Sequence, residues 1–115
     1  MTENLTADWV PTACTLPTAA RPVRTAEFDD LFRDAVSGVS RPAPGEVRLS
    51  LHASPANAGR AAQLAARETG CCSFFRFALT IADGELALTV TADPTHEHIL
   101  TAFAAHAGTE AGVTA

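Results

Sequence analysis

The chain contains no lysine. All eight basic residues are arginines, set against thirteen acidic residues for a net charge of −5. The arginines are scattered rather than gathered into a stripe, so electrostatic binding of nucleic acid is not expected. No apolar run approaches the length of a membrane span. The first residues, Met1-Thr-Glu-Asn-Leu-Thr-Ala-Asp8, have neither a basic start nor an apolar stretch. They do not read as a secretory signal, and a cytoplasmic location is expected, where thiols stay reduced. There is no tandem repeat, Gly-rich phosphate loop, His-Glu-x-x-His, Gly-x-Ser-x-Gly or paired-carboxylate motif. With 115 residues, 47% of them apolar, the chain has the size and composition of one folded domain.

Residues 1–23 read as an extended arm, because Pro11, Pro17 and Pro22 interrupt any helix. Trp9, Val10, Cys14 and Leu16 give this arm apolar atoms with which to dock. Residues 24–108 read as a single α+β domain and 109–115 as a frayed tail. The first helix opens at Thr25 as N-cap. Its stripe is Phe28, Leu31, Phe32, Ala35, Val36 and Val39, and Gly38 and Pro42 end it. Glu46–His52 alternates as a half-buried strand. Ser54-Pro55 caps a second helix that runs to about Glu68 and stops near Gly70. A second strand is expected over Cys71–Ile81, with Phe75, Phe77, Leu79 and Ile81 on one face. Asp83-Gly84 signals a hairpin into Glu85–Thr91. Asp93-Pro94 opens a third helix with the stripe His96, Ile99, Leu100, Phe103 and Ala107.

The predicted order is therefore α-β-α-β-β-α. It implies an α+β two-layer sandwich, ferredoxin-like in part but one strand short, with all helices on one sheet face. So short a sheet leaves edges. With Phe74 on the outer parity, a homodimer is expected.

The constellation that carries chemistry is Glu68-Thr-Gly-Cys71-Cys72. Ala61, Leu64, Ala65 and Glu68 make the buried stripe of the second helix, which sets a carboxylate on or beside the core just before two thiols. Buried carboxylates are costly unless paired or ligated. Thiolates bind soft ions such as Hg(II), Cu(I), Zn(II) and As(III). Cys14 supplies a third sulfur if the arm packs over this corner. Three sulfurs suit trigonal Hg(II) or As(III), and Glu68 or a histidine completes a four-ligand zinc set. The competing reading is that the cysteines are small core hydrophobes. His52, His96, His98 and His106 read as solvated surface groups. The phenylalanines at 74, 75 and 77 read as core.

Cys14-Thr-Leu-Pro17, Arg24-Thr-Ala-Glu27-Phe28, Leu31-Phe32 and Glu68-x-x-Cys71-Cys72-Ser-Phe-Phe75-x-Phe77 together resemble a family of small actinobacterial proteins. A related Glu-x-x-Cys-Cys-x-Phe-x-Phe module is similar to the C-terminal extension of some heavy-metal regulators of the mercury-resistance (MerR) class. The resemblance spans roughly residues 13–105 and is most specific over 68–77. It implies binding, sensing or detoxification of a soft metal or metalloid. No helix-turn-helix is legible in these residues, so binding or detoxification is expected over direct regulation.

Three functional expectations follow. The first is a non-enzymatic soft-metal site (Zn, Cu or Hg) built from Cys14, Cys71 and Cys72 with Glu68. The second is a thiol enzyme, with two routes. In organometal protonolysis, Glu68 or Asp29/Asp30 would be the proton donor. In thiol redox chemistry, Cys14 would be the resolving thiol. The third is an α+β dimer with core cysteines and an interaction surface or small-molecule pocket. A helix C-terminus raises rather than lowers a thiol pKa. Cys71 and Cys72 are therefore expected to be slow nucleophiles until a soft cation stabilises their thiolates.

Overall fold

A computed structural model describes residues 21–71 and 75–113. The first helix, α1 (Arg21–Ala35), begins within the stretch expected to be extended and ends earlier than its apolar stripe suggested. Pro22 is tolerated because the first turn of a helix has no N–H partner to lose. The rest of the expected arm, residues 1–20, lies outside the described residues.

Val36 and Val39 continue the helical spacing of α1 in sequence, yet they belong to a strand, β1 (Val36–Ser40). This is the strand missing from the sequence-based order. It pairs antiparallel with β2 (Glu46–Leu51), and the register shifts between Val36 and Gly38. The shift leaves Ser37 as an extra residue, a β-bulge. A regular strand would send residues three apart to opposite faces. The bulge turns both valines inward, and both are buried. An i, i+3 apolar pair thus satisfied two geometries. β-Branching and the glycine between the valines favoured the strand.

After β2, Ser54 caps α2 (Pro55–Cys71) as expected. Its hydroxyl accepts from Asn57 N–H at 3.1 Å, and its carbonyl accepts from Ala58 N–H at 3.0 Å. The helix passes through Gly70 to Cys71, so the next strand, β3, covers only Phe75–Ala82 rather than starting at Cys71. Asp83 and Gly84 both take positive φ, 55° and 75°, forming the expected two-residue hairpin into β4 (Glu85–Ala92). A single 3₁₀ turn, Pro94–His96, leads into α3 (Glu97–Ala111). Residues 109–111 are helical rather than frayed. Gly112, in the left-handed conformation, donates to Thr109 O, and Val113 N–H donates to Gly108 O at 2.9 Å. This is a Schellman cap, and Val113 packs against the core beyond it.

The sheet order is β1-β2-β4-β3, with every neighbouring pair antiparallel. β2 and β3, joined by α2, are therefore parallel but separated by β4. β2-α2-β3-β4-α3 is a split β-α-β run, and β1 takes the edge beside β2 that a closing strand would occupy. The architecture is α+β, with element order α-β-β-α-β-β-α.

The inward sheet face carries Val47, Leu49, Leu51, Phe75, Leu86, Leu88 and Val90, all buried in one core with residues from all three helices. Arg48, Ser50, Arg76, Ala78 and Thr80 stand exposed on the other face. Phe103 is the aromatic hub of the core. Its ring meets Phe32, Phe75 and Phe28 edge-on at 5.4, 5.8 and 6.1 Å, joining α3 to α1 and β3. Phe77 and Leu79, expected to be largely buried, are partly buried, and Ile81, on the same face, is 69% exposed. The helical layer fails to cover the far half of β3. Among the described residues, no helix is long and apolar enough to cross a membrane.

Candidate functional site

The apolar stripe of α2 is Ala61, Leu64 and, partly, Ala65; Glu68 is its next member. Glu68 is only 2% exposed, so the carboxylate expected on the buried stripe is on it. Burial of this kind is imposed by helical phase. A residue four positions beyond Leu64 returns to the same side of the helix. Cys71, three residues further, closes the same helix. Its backbone is therefore one turn from that of Glu68. Cys14 and Cys72 lie outside the described residues, as does Phe74.

Helix α2 lies against α1 with the opposite chain direction. Arg67 Nη1 meets Glu27 Oε2 at 3.2 Å, and Arg60 Nη2 meets Asp34 Oδ2 at 3.5 Å. These pairs flank a polar groove between the helices, lined also by Asp30, Gln63 and Leu64. Because the direction is antiparallel, the start of α1 and the end of α2 fall at the same end of the helical layer.

A third polar pair joins α3 to α1. His106 Nε2 donates to Asp29 Oδ1 at 2.5 Å, with side-chain exposures of only 14% and 8%. The His106 ring also lies 6.0 Å from that of Phe32, nearly perpendicular to it. The expectation of a solvated His106 is therefore corrected. The available signal was phase: Asp29 precedes Phe32 by three residues and His106 follows Phe103 by three, so both border buried stripes. Asp30, considered with Asp29 as an acid, is instead exposed and paired with Arg33.

The remaining histidines stand apart. His52 is exposed at the end of β2, where its carbonyl accepts from Asn57 Nδ2 at 2.8 Å. His98 is exposed. His96 is half-buried, with Nδ1 3.0 Å from Asp93 Oδ1. Asp93 also accepts from His96 N–H at 3.2 Å as the cap of the 3₁₀ turn. The side-chain hydrogen bond with His96 holds the Asp93 carboxyl below the ordinary aspartate range. Among the described residues, no three His, Cys, Asp or Glu side chains gather as a metal cluster.

Comparison with models of protein families, with curated proteins and with solved structures yields no match.

Proposed function

We propose that this protein binds a soft metal ion or metalloid as its cargo, with Cys71, Cys72 and Cys14 as thiolate ligands and Glu68 beside them. The observation that carries the reading is the burial of Glu68 one helical turn before Cys71. Glu68 stands one turn before the end of α2, whose backbone leads directly into Cys71 and Cys72, so one oxygen and two sulfur donors lie close together in the chain. The donor set fits soft cations: two or three sulfurs and one oxygen are suited to Hg(II), As(III), Cu(I) or Zn(II).

Chain length allows Cys14 to take part. Arg21 lies six residues before Glu27, about 9 Å along α1, and Cys71 lies four residues after Arg67, about 6 Å along α2. Both positions fall beyond the Arg67–Glu27 pair at the same end of the layer. Cys14 is seven residues before Arg21, a reach of up to about 25 Å. The proposal includes a reducing, cytoplasmic setting, a homodimer and a role in heavy-metal resistance by sequestration.

The test combines elemental analysis with titration of the reduced protein by Hg(II), Zn(II) and Cu(I). Binding tighter than that of free cysteine is expected, accompanied by proton release as thiols become thiolates. Affinity should fall in Cys71→Ser and Cys72→Ser, and less in Cys14→Ser. Binding no tighter than free cysteine overturns the reading. So does an alkylation midpoint for Cys71 or Cys72 well below that of free cysteine, because a low-pKa thiol belongs to redox chemistry.

A further inference from the structure

The two edges of the sheet differ. The β1 edge is five residues long and carries a bulge, features that discourage pairing with another chain. The β3 edge is eight residues long and contains no proline, glycine or lysine. Its register with β4 is unbroken from Phe75 to Ala82. Among the described residues no strand pairs with its outer side. Its inward residues lose cover progressively: Phe75 is buried, Phe77 and Leu79 are partly buried, and Ile81 is exposed. Beside Ile81 an apolar groove of ≈ 390 Å³ opens between the start of α2 and the hairpin, lined by Ala53, Pro55, Ala58 and Leu86.

We propose that the β3 edge is a homodimer interface at which a second copy of this chain pairs antiparallel about a two-fold axis through Leu79. The axis stands normal to the sheet, so inward residues stay inward and opposed residues share parity. Centring on Leu79 sets Phe77 of each copy opposite the second copy's Ile81, beside the apolar groove, and the two Leu79 side chains opposite one another. Cross-strand apolar pairs at this spacing are the unit of sheet stabilisation. The three inward side chains left short of cover then cover one another, in a continuous eight-stranded sheet.

Charge selects this register among those of the same parity. On the outer face, Arg76 falls opposite the second copy's Ala82. Ala82 is itself paired with Glu85 of β4. Arg76 and Glu85 therefore face each other across one alanine, two strand spacings or about 10 Å apart. Long side chains of opposite charge span that gap over a methyl group. Moving the axis to Ala78 sets Arg76 opposite Thr80, which β4 backs with Ala87, and moving it to Thr80 sets Arg76 opposite Gly84, beyond the end of β3; either shift removes the match. A second copy is the occupant because the strand complements itself in both apolar and charged positions. This inference rests on the homodimer of the proposed function and not on its metal binding.

Sedimentation at tens of micromolar, with the protein reduced and chelated, tests it. The native chain is expected at twice its 12.0 kDa. Ile81→Glu alters an exposed residue, so the fold should survive, as circular dichroism will show. Self-association should fall roughly a hundredfold or more, since the two-fold axis repeats the loss. Arg76→Glu should weaken the dimer, and Arg76→Glu with Glu85→Arg should restore it. A native chain that sediments as a monomer overturns the proposal. A dimer untouched by Ile81→Glu overturns it as well, because the contact would then lie elsewhere. Failure of the charge reversal to rescue overturns the Leu79-centred register.

Discussion

His106 on α3 and Asp29 on α1 meet at the same sequence offset, 77 residues, as Glu110 and Arg33 one turn further along. A constant offset means that the two helices run side by side in the same direction. The buried pair and the surface pair therefore act as two rungs of one seam, with Phe32 and Phe103 packed beside them. The inner rung is the stronger, because the outer ion pair is half-exposed on the arginine side and screened by water.

Removing one member of the inner rung leaves the other buried without its partner. His106→Ala and Asp29→Ala should each destabilise the fold by about 1–3 kcal/mol. The double variant should cost less than the sum of the two. Urea denaturation of all four species, read as a double-mutant cycle, checks the coupling. Additive losses would mean that the hydrogen bond contributes nothing to stability.

Deletion of Ser37 should abolish the bulge in β1. Val36 and Val39 can then no longer both face inward, and one must turn to solvent. The loss of one buried valine corresponds to about 1.5–3 kcal/mol. Ser37→Ala keeps the extra residue and should leave stability within about 0.5 kcal/mol of the native value. Equal stability of the deletion and the native chain would show that the bulge has no part in burying both valines.

Gly45 should not tolerate a side chain. Its φ is 76°, and a Cβ there would stand 2.8 Å from Ala92 O, beside the hydrogen bond that Ala92 N–H donates to Gly45 O at 3.0 Å. Gly45→Ala combines a left-handed conformation with a backbone clash, and should cost more than about 1 kcal/mol. Gly84→Ala meets nothing within 4 Å and bears only the conformational part. Thermal unfolding of the two variants side by side should rank Gly45→Ala as the more damaging.

The 3₁₀ turn before α3 should loosen in acid. Asp93 has a lowered pKa in the folded chain because it bonds His96. A carboxyl of this kind contributes its stability in full above its unfolded value, about 3.9, and loses it as pH falls through the lower folded value. NMR titration should place the Asp93 midpoint below that of an ordinary aspartate. In His96→Ala the midpoint should return toward the ordinary value. An unchanged midpoint in that variant would remove His96 as the cause.

The sequence by itself determined most of the elements, because their signals are local. The Ser54-Pro55 cap, the Asp83-Gly84 hairpin and the alternation in β2 and β4 depend on neighbours a few residues away. The burial of Glu68 was legible for the same reason: helical phase from Ala61 and Leu64 places it. Tertiary structure decided the rest. Only pairing with β2 turned Val36 and Val39 from a helical stripe into a bulged strand, since their spacing suits both geometries. Only the parallel seam of α1 and α3 drew His106 out of solvent onto Asp29, 77 residues away in the chain. Cover over Phe77, Leu79 and Ile81 was likewise not set by their alternation. Period two states which face a residue occupies, whereas the reach of the helical layer states whether that face is covered.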